Sequence, residues 1–312
     1  MPIGQTLLFH GFRLVARRGR SALPKLLPGA QAFDVTSKDN TPIHGWHWKT
    51  GTGSQAARGT PPKRRGTVFI LHGFTEHCAK KHYQKWALRL HEKHNVAVAA
   101  FDQRMHGKSG RSFPTFGTAE SWDFKAVLDH AEKSGWPKPY VALGISLGAL
   151  TSQRTLIDEP RLSGAVLVAP PGWPVDAIEK VGRLAVFRKA FSRWLANING
   201  AYGYDILADG DRRAHLRSPA HQPRVLYIIG DKDFYGWEPA HEVFEHWYPE
   251  TPNTVNVSPR EKPDALKWFV KAAGFNHPGP FKPSLFTWER LDDVIDEGLE
   301  IMLKPDPLTQ RR

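Results

Sequence analysis

Five short apolar runs constrain this chain more than any other feature: TVFIL (67–71), VAVAAF (96–101), YVAL (140–143), AVLVA (165–169) and VLYII (225–229). Each is continuously apolar and β-branched instead of alternating with polar residues, the pattern of a strand buried on both faces. Stretches with helical periodicity near 79–94, 120–133 and 147–158 separate the first four. Strand, helix and strand repeated in this way predict a mostly parallel sheet with helices on both faces, the α/β class. Two alternating segments, AFDVTS (32–37) and PIHGWHWK (42–49), come earlier and predict an antiparallel pair with its turn at Asp39-Asn40. After the fifth run the pattern predicts a helix over 239–247, a last strand at TVNV (254–257) and a C-terminal helix over 287–302.

Two regions break the rhythm. A Gly-, Ser-, Pro- and basic-rich stretch over 51–66 reads as a solvated loop. Residues 172–223 are too many for one crossover helix, and Phe187, Phe191, Trp194, Leu195 and Ile198 recur at helical spacing within them. An apolar stripe of this kind suits core packing, and here it also suits a cap over the sheet edge. The expected organisation is an N-terminal basic and amphipathic segment (1–30), a core formed by 31–171 and 224–312, and a cap insertion (172–223).

With 40% hydrophobic and 24% charged residues, a chain of 312 residues can bury a sizeable core. The formal charge of +12 admits nucleic acid, an anionic membrane surface or an acidic substrate as partners. The basic residues cluster only at Arg17-Arg18-Gly19-Arg20 and Lys63-Arg64-Arg65, with no zinc-finger spacing or RNA-binding aromatic signature beside them. Nucleic acid is therefore not expected as a partner. The apolar stretch near the start is interrupted by His10 and Arg13, too short to span a bilayer and without the order of a signal peptide. Peripheral contact with an anionic membrane stays open beside the plainer reading, a helix packed on the domain. Cys78 is the single cysteine, which excludes an intramolecular disulfide and a cysteine-rich metal site. That suits a reducing compartment, and a cytoplasmic location is expected.

The chemistry centres on GISLG, Gly144 to Gly148, between the strand YVAL and an apolar helix. Strand, sharp turn and helix are the context of a G-x-S-x-G nucleophile elbow. In it Ser146 is the expected nucleophile, and Gly144 and Gly148 leave room for the turn. The helix after it aims its positive end at developing negative charge. His72-Gly73-Phe74 directly follows the first buried strand, where such sites draw their second oxyanion donor. The expected oxyanion hole is the backbone N–H groups of Phe74 and Leu147, with His72 and Gly73 as structural support.

These stretches together resemble the α/β-hydrolase superfamily, on its serine-hydrolase branch with monoglyceride lipases, lysophospholipases and related esterases. The resemblance rests on three ordered motifs across residues 30–170: H-G-x-x-E-H at His72 to His77, D-x-R-x-H-G-x-S at Asp102 to Ser109, and the elbow. Met105 stands where the second motif often has glycine. The resemblance makes that motif a structural turn, so Asp102 and His106 receive no catalytic role. It also implies the chain order serine, acid, histidine. Asp233 in Gly230-Asp231-Lys232-Asp233 fits the acid, with Asp231 the alternative and more in keeping with a turn residue. His277 fits the histidine by order, although PDALKWFVKAAG (263–274) intervenes between TVNV and His277 where the family has a short loop. His241 and His246 follow the acid too closely and sit on a predicted helix.

The implied activity is hydrolysis of carboxylic esters, lipid-like or aryl, of the monoacylglycerol or lysophospholipid type. Trp173, Trp194, Tyr202, Tyr204 and Trp237 near the cap suit an apolar acyl chain. A thioesterase, acyltransferase or serine aminopeptidase would use the same groups, and a non-catalytic binding protein is the reading from another class. His72, His77, His82, His91 and His94 do not follow metal-ligand spacing, and neither metal nor cofactor is expected.

Overall fold

The apolar runs lie side by side in one eight-stranded sheet in the computed structural model, which describes residues 24–49, 65–110, 112, 115–171, 217–233, 238–250, 254–273, 275 and 291–304. The strands are β1 (Gln31–Thr36), β2 (Pro42–Trp48), β3 (Thr67–Leu71), β4 (Ala97–Phe101), β5 (Tyr140–Ile145), β6 (Leu162–Val168), β7 (Arg224–Gly230) and β8 (Lys267–Ala272). Their spatial order is β1-β2-β4-β3-β5-β6-β7-β8. β1 pairs antiparallel with β2 and β2 antiparallel with β4, and all other neighbours are parallel. The expected hairpin turns at Asn40, whose φ of 63° is the left-handed conformation that asparagine tolerates.

Helices α1 (Lys81–His94), α2 (Thr118–Lys133), α3 (Leu147–Leu156), α4 (Glu238–His246) and α5 (Asp292–Met302) follow the sequence pattern closely. Alternation along each strand divides the core into two layers. Val68 and Ile70 pack with Tyr83 and Leu90 of α1 and Leu299 of α5. Phe69 and Leu71 pack with Phe124 of α2, Ala149 of α3 and Phe244 of α4. Residues 24–30 already join this body. Leu27 is buried in the core, and the Trp48 indole N–H donates to the Pro28 carbonyl at 3.0 Å. Residues 1–23 and 172–216, most of the expected N-terminal segment and cap, lie outside the described residues.

The last strand is not where the pattern put it. TVNV contributes a single bridge, Val255 to Phe269, and the strand is KWFVKA (267–272). Asn256 adopts φ 55° and turns the chain out of extended geometry, while its side-chain oxygen accepts the Lys271 N–H at 3.0 Å. Lys267 and Lys271 gave β8 a helical spacing in sequence. Lys267 is nonetheless buried: its ammonium donates to the Phe244 carbonyl at 2.6 Å and lies over the Phe244 ring, capping the last turn of α4.

Candidate active site

The parallel part of the sheet starts at β3, with β4 added on one side and β5 on the other, and this reversal creates a crevice beyond the carboxyl ends of β3 and β5. Leu71 and Gly144 are register partners there, which brings the loop after β3 against the turn after β5. Ser146 occupies that turn with φ 50° and ψ −111°, a conformation that a non-glycine residue adopts only under constraint. The constraint is visible. Its N–H donates to the Val168 carbonyl at 2.9 Å, and its carbonyl accepts from Ala149 N–H at 2.9 Å and Leu150 N–H at 3.1 Å. The neighbouring glycines have no space for a side chain. A Cβ on Gly148 would stand 2.2 Å from the Leu71 carbonyl oxygen, and one on Gly144 would stand 2.4 Å from the Gly148 carbonyl oxygen. Ser146 thus caps α3, and Leu147 opens the helix with an N–H that has no intrahelical acceptor.

Gly73 faces this serine: a Cβ built on it would meet Ser146 Cβ at 3.6 Å and Glu76 Oε2 at 3.7 Å. Two buried histidines hold the loop. His72 donates from Nδ1 to the Gly73 carbonyl at 2.8 Å and accepts the Gln103 N–H on Nε2 at 3.0 Å. His106 donates from Nδ1 to the Arg104 carbonyl at 2.8 Å and accepts the Thr75 N–H on Nε2 at 3.1 Å. Each ring therefore carries its proton on Nδ1 and is neutral. Burial pushes both pKa values down, that of His106 to about 4. Phe74 lies between these two anchor points, half-buried, with its ring against His106 and Phe116.

Asp102 folds the second motif into a turn. Its carboxylate accepts the Cys78 N–H at 2.8 Å and the Lys108 N–H at 2.9 Å. Gly107 presses so closely on it that a Cβ would stand 1.9 Å from Asp102 Oδ2. Met105, in the place often held by glycine, takes φ 68°. Beside it Arg104 is wholly buried and ion-pairs with Asp123 at 2.6 Å and Asp39 at 2.8 Å. Nothing in the sequence spacing singled out that cluster, because its three members come from the β4 exit, the hairpin turn and α2. Glu76, half-buried, accepts from Tyr83 and pairs with Lys80 at 3.0 Å. Burial raises its pKa, but hydrogen bonding and charge from His82, with help from Tyr83 and Lys80, outweigh that and bring it to about 2.

The loop after β7 carries both acidic candidates. Asp231 is exposed and its N–H donates to the Ala272 carbonyl at 3.1 Å, whereas Asp233 is half-buried and its N–H donates to the Gly230 carbonyl at 3.2 Å. His277 and Trp237 lie outside the described residues. The other histidines are dispersed: His91 bonds the Val96 carbonyl and His94 the carboxylates of Asp296 and Glu300. Among the described residues no group of three or more His, Cys, Asp or Glu is placed to hold a metal ion.

A mixed eight-stranded sheet in this order, with a strained serine between β5 and its helix, defines the α/β-hydrolase fold. Solved structures agree. An esterase of Pyrococcus furiosus is 21% identical, with a TM-score of 0.64 over 92% of this chain and 98% of its own. Est1E of Butyrivibrio proteoclasticus, solved with ferulic acid, is 16% identical with a TM-score of 0.56 over 86% and 99% of the two chains. A serine hydrolase without lid from Xanthomonas campestris is 16% identical with a TM-score of 0.54 over 93% and 100%. No curated protein sequence matches this chain. The family model described as serine aminopeptidase, S33 (Hydrolase_4) matches residues 62–246, and the chain belongs to that family. The matched span contains Ser146 and Asp233 and ends before His277.

Proposed function

We propose that this protein is a serine hydrolase that cleaves carboxylic esters through an acyl-enzyme on Ser146. The observation that carries the reading is the strained Ser146 at the head of α3, with the His72–Phe74 loop packed against it. In this mechanism Ser146 Oγ attacks the substrate carbonyl carbon as its proton passes to His277, and Asp233 orients the imidazole. The N–H groups of Phe74 and Leu147 receive the oxyanion, His277 returns the proton to the departing alcohol, and water activated by the same histidine releases the acid.

Support for His277 comes from the corrected last strand. β8 ends at Ala272, so the connection to position 277 is short, as the family order requires. The Phe275 carbonyl accepts the Lys232 N–H at 3.0 Å, next to Asp233, and two further residues span at most about 7 Å. For the acid, the half-buried Asp233 suits the role better than the exposed Asp231, whose N–H continues the pairing of β7 with β8 at Ala272.

Lipid-like and aryl esters are the favoured substrates. The ferulate-bound neighbour and the apolar Phe74–Phe116 contact support an aryl or acyl group, and monoacylglycerol- and lysophospholipid-type esters continue the family resemblance. The second reading, cleavage of an aminoacyl amide, rests on the family description. Turnover of p-nitrophenyl esters of rising chain length against aminoacyl p-nitroanilides separates the two, with esters expected to be the faster. Asp233→Asn is expected to lower kcat by about 10⁴-fold and Asp231→Asn by less than tenfold. A fully active His277→Ala protein would show that another group supplies the base.

A further inference from the structure

The two expected oxyanion donors belong to different elements, Phe74 to the loop after β3 and Leu147 to the head of α3. Donors of this kind must converge within about 2.7–3.1 Å of one oxygen. The register between β3 and β5 ends at Leu71 and Gly144, so something beyond the sheet must hold the two loops to each other.

We propose that Gln103 is the positioning residue that keeps the two halves of the oxyanion site in register, acting through His72 on one side and Thr151 on the other. The inference rests on the reading of Ser146 as nucleophile. Gln103 is the unassigned middle residue of Asp102-Gln103-Arg104, and it is fully buried, at 0% exposure. It grips residue 72 twice: its main-chain N–H donates to His72 Nε2 at 3.0 Å, and its side-chain amide donates to the His72 carbonyl at 2.7 Å. Its Oε1 accepts from the Thr151 hydroxyl at 2.6 Å. Thr151 sits one turn into α3, and the same hydroxyl lies 3.0 Å from the Leu147 carbonyl. A continuous polar path therefore runs from Leu147 through Thr151, Gln103 and His72 to Gly73, whose carbonyl accepts from His72 Nδ1.

The residue type follows from the path. One side chain must donate to a carbonyl and accept from a hydroxyl in a place closed to water. A carboxylate offers no donor, and a hydrocarbon offers neither. The flanking side chains cannot substitute, because Asp102 serves Cys78 and Lys108, and Arg104 serves Asp39 and Asp123.

The test compares Gln103→Leu, Thr151→Val and Thr151→Ser with wild type, reading kcat and KM on a short-chain p-nitrophenyl ester. It also reads inhibition by phenylboronic acid, which forms a tetrahedral anionic adduct on the serine. Gln103→Leu is expected to lower kcat by about 10- to 100-fold, leave KM within about twofold, and weaken boronate inhibition by a similar factor. Thr151→Val is expected to act in the same direction and Thr151→Ser to restore the wild-type values. A purely structural role would lower the melting temperature while leaving kcat and boronate affinity within twofold, and that result overturns the proposal. Should Gln103→Leu not fold, the threonine pair decides: Val and Ser variants of equal activity overturn it. Wild type that neither turns over an ester nor reacts with a fluorophosphonate would overturn the hydrolase reading itself, before any variant is compared.

Discussion

Gly148 has no room for a methyl group, because the place where one would go is already held by the Leu71 carbonyl. Gly148→Ala must push α3 away from β3 and is expected to lower stability by about 1–3 kcal/mol, read from the urea midpoint. The same displacement should slow the reaction of Ser146 with a fluorophosphonate. Ser146 itself stores strain, since φ 50° with ψ −111° costs a non-glycine residue about 1–3 kcal/mol. Ser146→Gly is therefore expected to abolish turnover and raise stability by about 1 kcal/mol; a destabilised variant would contradict the strain. The serine and its glycines were legible in sequence because sterics fix their spacing. Gln103 was not, because its partners His72 and Thr151 lie 31 and 48 positions away and meet only in the folded chain.

At the level of elements, helices and buried strands could be read from periodicity, and β8 could not. Its two lysines carry a helical spacing, and the burial of Lys267 depends on carbonyls at the end of α4, remote in sequence. The Arg104 cluster has the same character. Arg104→Met leaves Asp123 buried without its cation and is expected to cost about 3–5 kcal/mol, measured by denaturant unfolding. α1 and α5 are joined by another group, in which Asp296 meets Arg89 and Lys93 at 2.5 Å each and His94 at 2.9 Å. Burial works against the charge on Asp296, but hydrogen bonds from His94, Lys93 and Arg89 prevail and hold its pKa below the ordinary carboxylate value. Its ionised form thus contributes stability that is fully present above the ordinary carboxylate pKa and lost as pH falls through the lower folded value. Asp296→Asn is expected to flatten the loss of stability between about pH 5 and pH 2, measured by urea unfolding across that range. An unchanged acid limb would show that the carboxylate has no such linkage.

On the scale of the molecule, charge is divided unevenly. The described residues contain as many carboxylates as Lys and Arg side chains, so the formal excess of +12 belongs to the remaining segments. Residues 1–23 carry Arg13, Arg17, Arg18 and Arg20 and no carboxylate. No described helix is long and apolar enough to cross a membrane. We propose that peripheral contact with an anionic membrane draws on charge of this kind. Vesicles rich in anionic lipid are expected to retain the full chain at low salt and release it as salt rises, and removal of residues 1–23 should weaken that retention. Equal retention without them would place the contact elsewhere. The sheet, by contrast, owes nothing to net charge. Its strands follow from the apolar runs, and their order brings the β3 loop to the β5 turn. The central claim is that this meeting point makes Ser146 a nucleophile. Intact-mass and peptide-level mass spectrometry after fluorophosphonate treatment tests it most directly. A single adduct on the peptide containing Ser146, absent from Ser146→Ala together with a fall in ester turnover of about 10⁴–10⁶-fold, is the predicted result. Equal labelling of both proteins, or an adduct on another residue, would contradict it.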